Sequence, residues 1–473
     1  MRIIGRKAEQ RELQRMLDSP RSEFIVVTGR RRIGKTHLVR AHFNNEFAFY
    51  ATGVAGGNMK DQIESFNATI RRYGGEGIAH SWMDAFEQLR VLLESDGIVR
   101  DATSGKIVVF IDEMPWLDTA RSRFLPALEF FWNSWASARN DVVLIACGSA
   151  TSWMAKNLLA SRGGLHNRVT CRIQLEPFSL AECEKLNSEN GVVLSRNETM
   201  EAYMAFGGVP YYWELLDKRL GLAQNIDRLC FYRNGQLHDE FARLFNSLFK
   251  HSQHHESIVR ALAKRQEGVS RAALVTDVDI ADGGTLSSAL EELESCGFIR
   301  RYRDFTTPKN ECLYQLIDPF ALFWIRFVED STDETWWSSN LHSARVRSWT
   351  GRAFELLCLL HTRQILAALG VQGVSVNTFA WRSRKSDPGA QVDLVLDRAD
   401  GIVNLCEMKY SHDQFAISKS YDAALRHKLT AFANETSTKN ALHLTMVTPH
   451  GVKRSAYWSS VQSEIVADDL FAF

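Results

Sequence analysis

The residues in this chain whose types and spacing can do chemistry fall into two groups. The first is built on Gly29-Arg-Arg-Arg-Ile-Gly34-Lys35-Thr36, which has the form GxxxxGK[ST] and follows a strand pattern while opening a helical one. Glycines let the backbone wrap phosphates, so that amide N–H groups and the helix N-terminus point at them. Lys35 then reaches the β and γ phosphates and the Thr36 hydroxyl ligates Mg²⁺, which makes ATP with Mg²⁺ the expected cofactor. The partner is an apolar strand ending in acid, Ile107-Val-Val-Phe-Ile-Asp112-Glu113. Asp112 belongs in the Mg²⁺ shell, and Glu113 is placed to polarise the attacking water. Ser149, in Cys147-Gly-Ser-Ala150 after the next apolar run, is a candidate sensor of the γ phosphate, with simple turn chemistry as the alternative. Arg168, ahead of the following strand in His166-Asn-Arg168-Val, is a candidate for stabilising transition-state charge, the alternative being an exposed structural arginine. Arg30 to Arg32, inside the loop, are expected to be solvated, the alternative being that one of them touches phosphate or a neighbour.

The second group lies near the C-terminus. Gln391-Val-Asp393-Leu-Val-Leu begins one strand, and after a turn at Asp400-Gly401 the next reads Leu405-Cys-Glu407-Met-Lys409. Period-two geometry puts Glu407 and Lys409 on one face, and hairpin pairing brings Asp393 beside them. Asp393 and Glu407 are candidate ligands for a divalent metal, and Lys409 is a candidate for orienting water or stabilising charge during phosphodiester cleavage. Glu355, on a preceding helix, adds a further acid. Trp381-Arg-Ser-Arg-Lys385 sets an aromatic among basic residues, a pattern suited to a nucleic-acid backbone. Lys419 and Lys428 on the next helix offer phosphate contacts. The plainer alternative is strand-end charge beside a solvated helix face.

The elements that must position these residues follow from periodicity. Apolar runs at Glu23–Thr28, Glu46–Ala51, Lys106–Ile111, Asp141–Ala146 and Thr170–Leu175 alternate with helical stretches. That alternation predicts an α/β fold with a doubly wound parallel sheet. An additional strand near Phe47–Tyr50, between the phosphate loop and the Asp-Glu strand, fits the additional-strand ATPases. The expected organisation is an ATPase core over 1–178, a helical lid over 179–249, a winged helix-turn-helix over 250–318, a helical connector over 319–345 and an α/β nuclease-like domain over 346–473. Between Lys250 and Asp318 there are nine Lys/Arg and eleven Asp/Glu. The presumed recognition helix, Thr285–Ser295, carries three acids and no base, a poor match to a phosphate backbone. A packing or protein-contact role is therefore favoured for this module.

Composition sets the outer bounds. With 473 residues, 45% of them hydrophobic, and 56 basic against 56 acidic side chains, the chain reads as several folded domains without an overall field for polyanions. No segment reads as a secretory leader or a membrane span, and eight scattered cysteines read as reduced thiols of a cytoplasmic protein.

Taken together, Ile4-Gly5-Arg6 with Glu9, the Gly29–Thr36 loop, Asp112-Glu113-Met-Pro-Trp116, Cys147-Gly-Ser-Ala150 and Gly207-Gly-Val-Pro210-Tyr-Tyr-Trp213 resemble the archaeal-type ATPases. These belong to the STAND class of signal-transduction NTPases, and the whole chain resembles their bacterial AAA-like relatives. The resemblance implies that Ile4, Gly5 and Arg6 flank adenine and that Pro210 caps it, although Lys7 stands where relatives often carry an acid. The Asp, then Glu-x-Lys, pattern resembles the restriction-endonuclease-like fold, which the same relatives carry. ATP, DNA or RNA through the C-terminal domain, and a second copy of the chain are the implied partners. The competing reading is a regulatory scaffold or DNA-binding regulator whose nuclease-like domain is idle.

Overall fold

A computed structural model of the chain describes residues 2–149, 151–159, 167–249, 252–265, 267–306 and 311–472. Ala150, His166, Lys250 and part of the polar turn after Arg303 lie outside the described residues. The chain divides into two compact units, Met1–Glu176 and Pro177–Phe473.

The first unit is a five-stranded parallel sheet of β1 (Glu23–Thr28), β2 (Phe49–Thr52), β3 (Ile107–Asp112), β4 (Val142–Gly148) and β5 (Cys171–Gln174), in the order β2-β3-β4-β1-β5. Helices α1 (Lys7–Leu17) and α2 (Lys35–His42) cover one face, and α3 (Met59–Arg72), α4 (Trp82–Leu93) and α5 (Phe124–Ser134) cover the other. The strands read as unbroken apolar runs because alternate residues feed two cores. Phe24 and Val26 pack beneath α3 to α5, whereas Ile25 and Val27 pack beneath α1 and α2. The strand inserted between the phosphate-loop strand and the Asp-Glu strand is β4, while β2 forms the sheet edge. β2 also starts later than its apolar run suggests: Asn44 and Asn45 turn the chain at positive φ, and Phe47 packs before pairing begins.

The second unit begins with helices. Leu180–Asn190 and Arg196–Phe206 open on Ser179 and Ser195, each closed by a glutamate three residues on. Gly208 is required by close approach, since a Cβ there would lie 2.0 Å from the Phe178 carbonyl oxygen. Helix Ser252–Ala263 leads into β6 (Val269–Ser270), helices Arg271–Asp277 and Gly284–Ser295 follow, and β7 (Ile299–Tyr302) and β8 (Leu313–Leu316) then complete an antiparallel sheet in the order β6-β8-β7. The aromatic connector is packed: Phe323, Phe327, Trp337 and Trp349 form a mutual ring cluster. A last sheet holds β9 (Val376–Arg382), β10 (Gln391–Arg398), β11 (Ile402–Met408), β12 (Ala441–Val447) and β13 (Ser463–Ile465). Its order is β13-β12-β11-β10-β9, antiparallel from β9 to β11 and parallel beyond. Helix Ala344–Leu360 precedes it and helix Lys419–Thr436 crosses between β11 and β12. Among the described residues no two cysteines are joined by a disulfide, and no helix is long and apolar enough to cross a membrane.

Candidate functional site

The phosphate loop joins β1 to α2. Gly29 has φ 146°, and a Cβ there would sit 2.7 Å from the Leu175 carbonyl oxygen, so only glycine fits. Gly34 caps α2 in the left-handed region, φ 90°. Lys35 is buried, and its Nζ donates to the carbonyl oxygens of Gly29 (2.9 Å) and Arg30 (2.8 Å) and to Ser149 Oγ (3.0 Å). Ser149 Oγ in turn donates to Glu113 Oε1 at 2.9 Å. Ser149 therefore does more than turn the chain: it joins the loop lysine to the acid at the end of β3. Thr36 Oγ1 donates to Asp112 Oδ2 at 2.7 Å, and the Glu113 amide donates to Asp112 Oδ1 at 2.9 Å. Glu113 holds φ 44°, a left-handed conformation that a non-glycine residue takes at a cost of roughly 1–3 kcal/mol. Two hard oxygen donors side by side, Thr36 and Asp112, suit a Mg²⁺ ion, which takes one or two protein oxygens beside phosphate. They are the residues that would hold it.

The Ile4-Gly5-Arg6 segment reaches the same loop. Arg6, in a left-handed N-cap of α1, is buried, donates from Nη2 to the Ile33 carbonyl at 3.3 Å and pairs with Glu9 at 3.6 Å. Of the loop arginines, Arg31 is exposed as expected, but Arg30 is 4% exposed. The burial of Arg30 departs from the main expectation of three solvated side chains and fits the alternative in which one of them is not. Arg168 is exposed in the turn before β5, and no hydrogen bond or ion pair joins it to Lys35, Asp112 or Glu113 among the described residues. Pro210 belongs to the second unit, where it is buried at the start of helix Pro210–Glu214.

The C-terminal group does assemble. The register Leu394 to Cys406 sets Asp393 across from Glu407 one step further on. A register shift between Val392 and Val395 makes a bulge at Asp393 and Leu394, a device that re-aims a side chain. Lys409 Nζ lies 3.2 Å from Glu407 Oε1 and 3.9 Å from Glu355 Oε1. Two residues on the following helix complete the cluster: Lys428 Nζ pairs with Glu407 Oε2 at 2.7 Å, and Tyr421 OH donates to Glu407 Oε1 at 2.6 Å. Lys428 thus faces the acid cluster and not a solvent-side phosphate track, whereas Lys419 is exposed.

The electrostatics follow from that packing. Burial alone would raise Glu407, but Lys428, Lys409 and the Tyr421 hydroxyl hold its carboxyl below the usual range. Glu355 goes the other way: burial, reinforced by the Asp393 and Glu407 charges, pushes it up to about 7. Burial would lower Lys409, yet Glu407 and Glu355 raise it. Both oxygens of Glu407 therefore already have protein donors. Among the described residues no group of three or more acids, histidines or cysteines is spaced to hold a metal ion. A metal ion shared by Asp393 and Glu407 would have to displace Lys409, Lys428 or Tyr421 from Glu407. Sequence pattern found Asp393, Glu407, Lys409 and Glu355 but missed Tyr421 as a partner and misjudged Lys428, since both reach Glu407 only through tertiary folding.

Residues 4–216 match the family model of an ATPase domain predominantly from Archaea, so the N-terminal part of the chain carries an archaeal-type ATPase domain of the phosphate-loop kind. Over 342 residues the chain is 24% identical to the uncharacterized protein MJECL04 of Methanocaldococcus jannaschii, covering 69% of each. Among solved structures it is similar to the Walker-type ATPase paby2304 of Pyrococcus abyssi, with 20% identity, a TM-score of 0.47, and coverage of 69% of this chain and 96% of that one. It is also similar to the Aeropyrum pernix ORC2 protein, with 15% identity, a TM-score of 0.41, and coverage of 68% and 93%.

Proposed function

We propose that this protein is a Mg²⁺-dependent ATPase of the STAND and AAA-like kind whose nucleotide state governs a helical lid, a winged-helix module and a nuclease-like C-terminal domain. The observation that carries the reading is the connected network Lys35–Ser149–Glu113 beside Thr36–Asp112. Lys35 spends its three protons on neutral acceptors, two loop carbonyls and a hydroxyl. Exchanging them for β and γ phosphate oxygens replaces neutral acceptors by anionic ones, adding ion-pair attraction to each bond. Mg²⁺ supplies charge neutralisation across the phosphates when bound. Thr36 and Asp112 would hold it; Glu113 accepts the proton of the attacking water, and Ser149 reports on the γ phosphate through its two partners. Ile4, Gly5, Arg6 and Pro210 are assigned to the adenine by resemblance, and Arg168 to transition-state charge. Lys35→Ala tests the site: loss of ATP binding in a calorimetric titration is expected, and unchanged affinity overturns it.

For the C-terminal domain the proposal is cleavage of nucleic acid at the Asp393, Glu407 and Lys409 cluster. The strand order and the approach of Glu355 support that reading. The second reading, an idle nuclease-like scaffold on a slow assembly switch, is favoured by the pairing of Glu407 with two lysines. Wild-type protein incubated with DNA and RNA in Mg²⁺ or Mn²⁺, with and without ATP, decides between them. Absence of cleavage under every condition retires the nuclease.

A further inference from the structure

The segment that follows β7 is not a free wing. Asp304 bridges to Ala380 of β9, the Phe305 amide donates to the Ala380 carbonyl at 2.8 Å, and Asp304 Oδ2 accepts from the Arg382 amide at 2.9 Å. The Phe305 ring packs on Phe379 and Phe432 at 5.2 and 5.0 Å. The β7–β8 sheet is thereby stitched to the edge of the C-terminal sheet, opposite the bulge that carries Asp393.

This junction leaves a cleft of about 720 Å³, lined by Arg300, Tyr302, Trp381, Arg384 and Asp393 among others. The volume is that of a ligand site for one or two nucleotides. Its charges divide into two kinds. Arg271 is paired with Asp282 and Arg382 with Glu267, and the Asp304 carboxylate is spent on the Arg382 amide and Thr306. Arg300 and Arg384 differ: among the described residues neither has a carboxylate partner within ion-pair distance. Arg300 lies 4.4 Å from the Tyr302 ring centroid and donates from Nε to Gln315 Oε1 at 2.8 Å, so its guanidinium is held in place. Burial lowers Arg300 while the Asp393 charge acts against that, and Asp393 also acts on Glu355 and Lys409. Asp393 both lines the cleft and lies across from Glu407 in the sheet, so the cleft opens onto the acid cluster. Glu311 and Asp393 also line it, so the cleft is no long basic groove, and two unpaired arginines match one or two phosphates.

We propose that this cleft seats a phosphodiester of a single-stranded nucleic acid, held by Arg300 and Arg384 so that the strand passes Asp393. Delivery to the acid cluster rests on the nuclease reading above; binding does not. The volume matches a strand of one or two nucleotides better than a duplex, and a strand of either sugar satisfies the same phosphate chemistry. The test uses the full chain and fluorescein-labelled octamers of thymidine or uridine, with anisotropy read in EDTA so that cleavage is silent. Wild type binds the octamers, Arg300→Met and Arg384→Met each weaken binding about tenfold or more, and the double variant weakens it further. Arg301→Gln, an exposed residue paired with Glu294 at 3.6 Å and outside the cleft, stays within about twofold.

No binding by wild type, equal affinity for a duplex, or equal loss in Arg301→Gln overturns the proposal. Should Arg300→Met melt early, Arg300→Lys and Arg384→Met carry the decision. Cleavage by wild type with unchanged binding in the double variant retires the cleft and leaves the nuclease. Arginine-dependent binding without cleavage does the reverse.

Discussion

Lys35 and Lys428 hold comparable places in the two halves of the molecule, each a lysine facing carboxylate chemistry, and they are satisfied in opposite ways. Lys35 donates only to neutral acceptors, and among the described residues Asp112 and Glu113 make no ion pair. Among the described residues, the ammonium and both carboxylates of that site have hydrogen-bond partners but no ion-pair partner. Lys428 and Lys409 instead neutralise Glu407, which is buried. The same residue types therefore make an open electrostatic site in one unit and a closed one in the other. What separates them is which acceptors fall within reach of the ammonium groups.

The contrast breaks most visibly at Glu113. Replacing it with Gln leaves the Ser149 contact geometry and Mg²⁺ ligands in place but removes the proton acceptor. Turnover should fall by about a hundredfold or more while ATP affinity changes little. A steady-state phosphate-release assay beside a binding titration measures both, and equal turnover would dismiss Glu113 as the base.

A second effect belongs to the second unit and concerns pH. His361 is fully buried, accepts a hydrogen bond at Nε2 from the Leu180 amide, and is lowered by burial from 6.5 to about 4. Between those values the unfolded chain binds the proton and the folded chain does not. Stability from this group is therefore complete above pH 6.5 and is lost as pH falls toward 4, on the order of 3 kcal/mol. Urea denaturation across that range should show a shallower decline in His361→Asn, and an unchanged slope would remove His361 from the account.

Opening the closed site is a smaller perturbation. Lys428→Met strips one of two cations from Glu407, and because Lys409 and Tyr421 remain, the cost should be about 2 kcal/mol, below that of an orphaned buried charge. Mn²⁺ affinity, followed by electron paramagnetic resonance, should rise in the same variant. Weaker Mn²⁺ binding would show that Lys428 does not compete with metal. Ser149→Ala is the mildest change: it cuts the link between Lys35 and Glu113 and should lower turnover about tenfold without unfolding the first unit.

Much of the first unit was legible because its signals are local. The loop motif is eight contiguous residues, the strand runs are continuous, and the resemblance placed Arg6, which the structure brings to Ile33. Which strand stands between β1 and β3 was less legible, since sheet order is a property of crossovers and β4 comes late in the chain. Arg30 was misjudged because an arginine's burial depends on neighbours distant in sequence.

In the second unit the period-two pattern correctly put Glu407 and Lys409 on one face. The bulge at Asp393 and the partners Tyr421 and Lys428 had no local signal, because a helix 14 to 21 residues further on delivers those partners. The charge count of the β6–β8 module argued against a nucleic-acid-reading helix. It said nothing of the edge pairing at Ala380 that creates the cleft.

The central claim is that the first unit is an open site for ATP with Mg²⁺, built on Lys35. Calorimetric titration of ATP with Mg²⁺ into wild type and Lys35→Ala tests it most directly. Saturable one-site binding by wild type and none by the variant is the predicted result, and equal binding by the two proteins would contradict it.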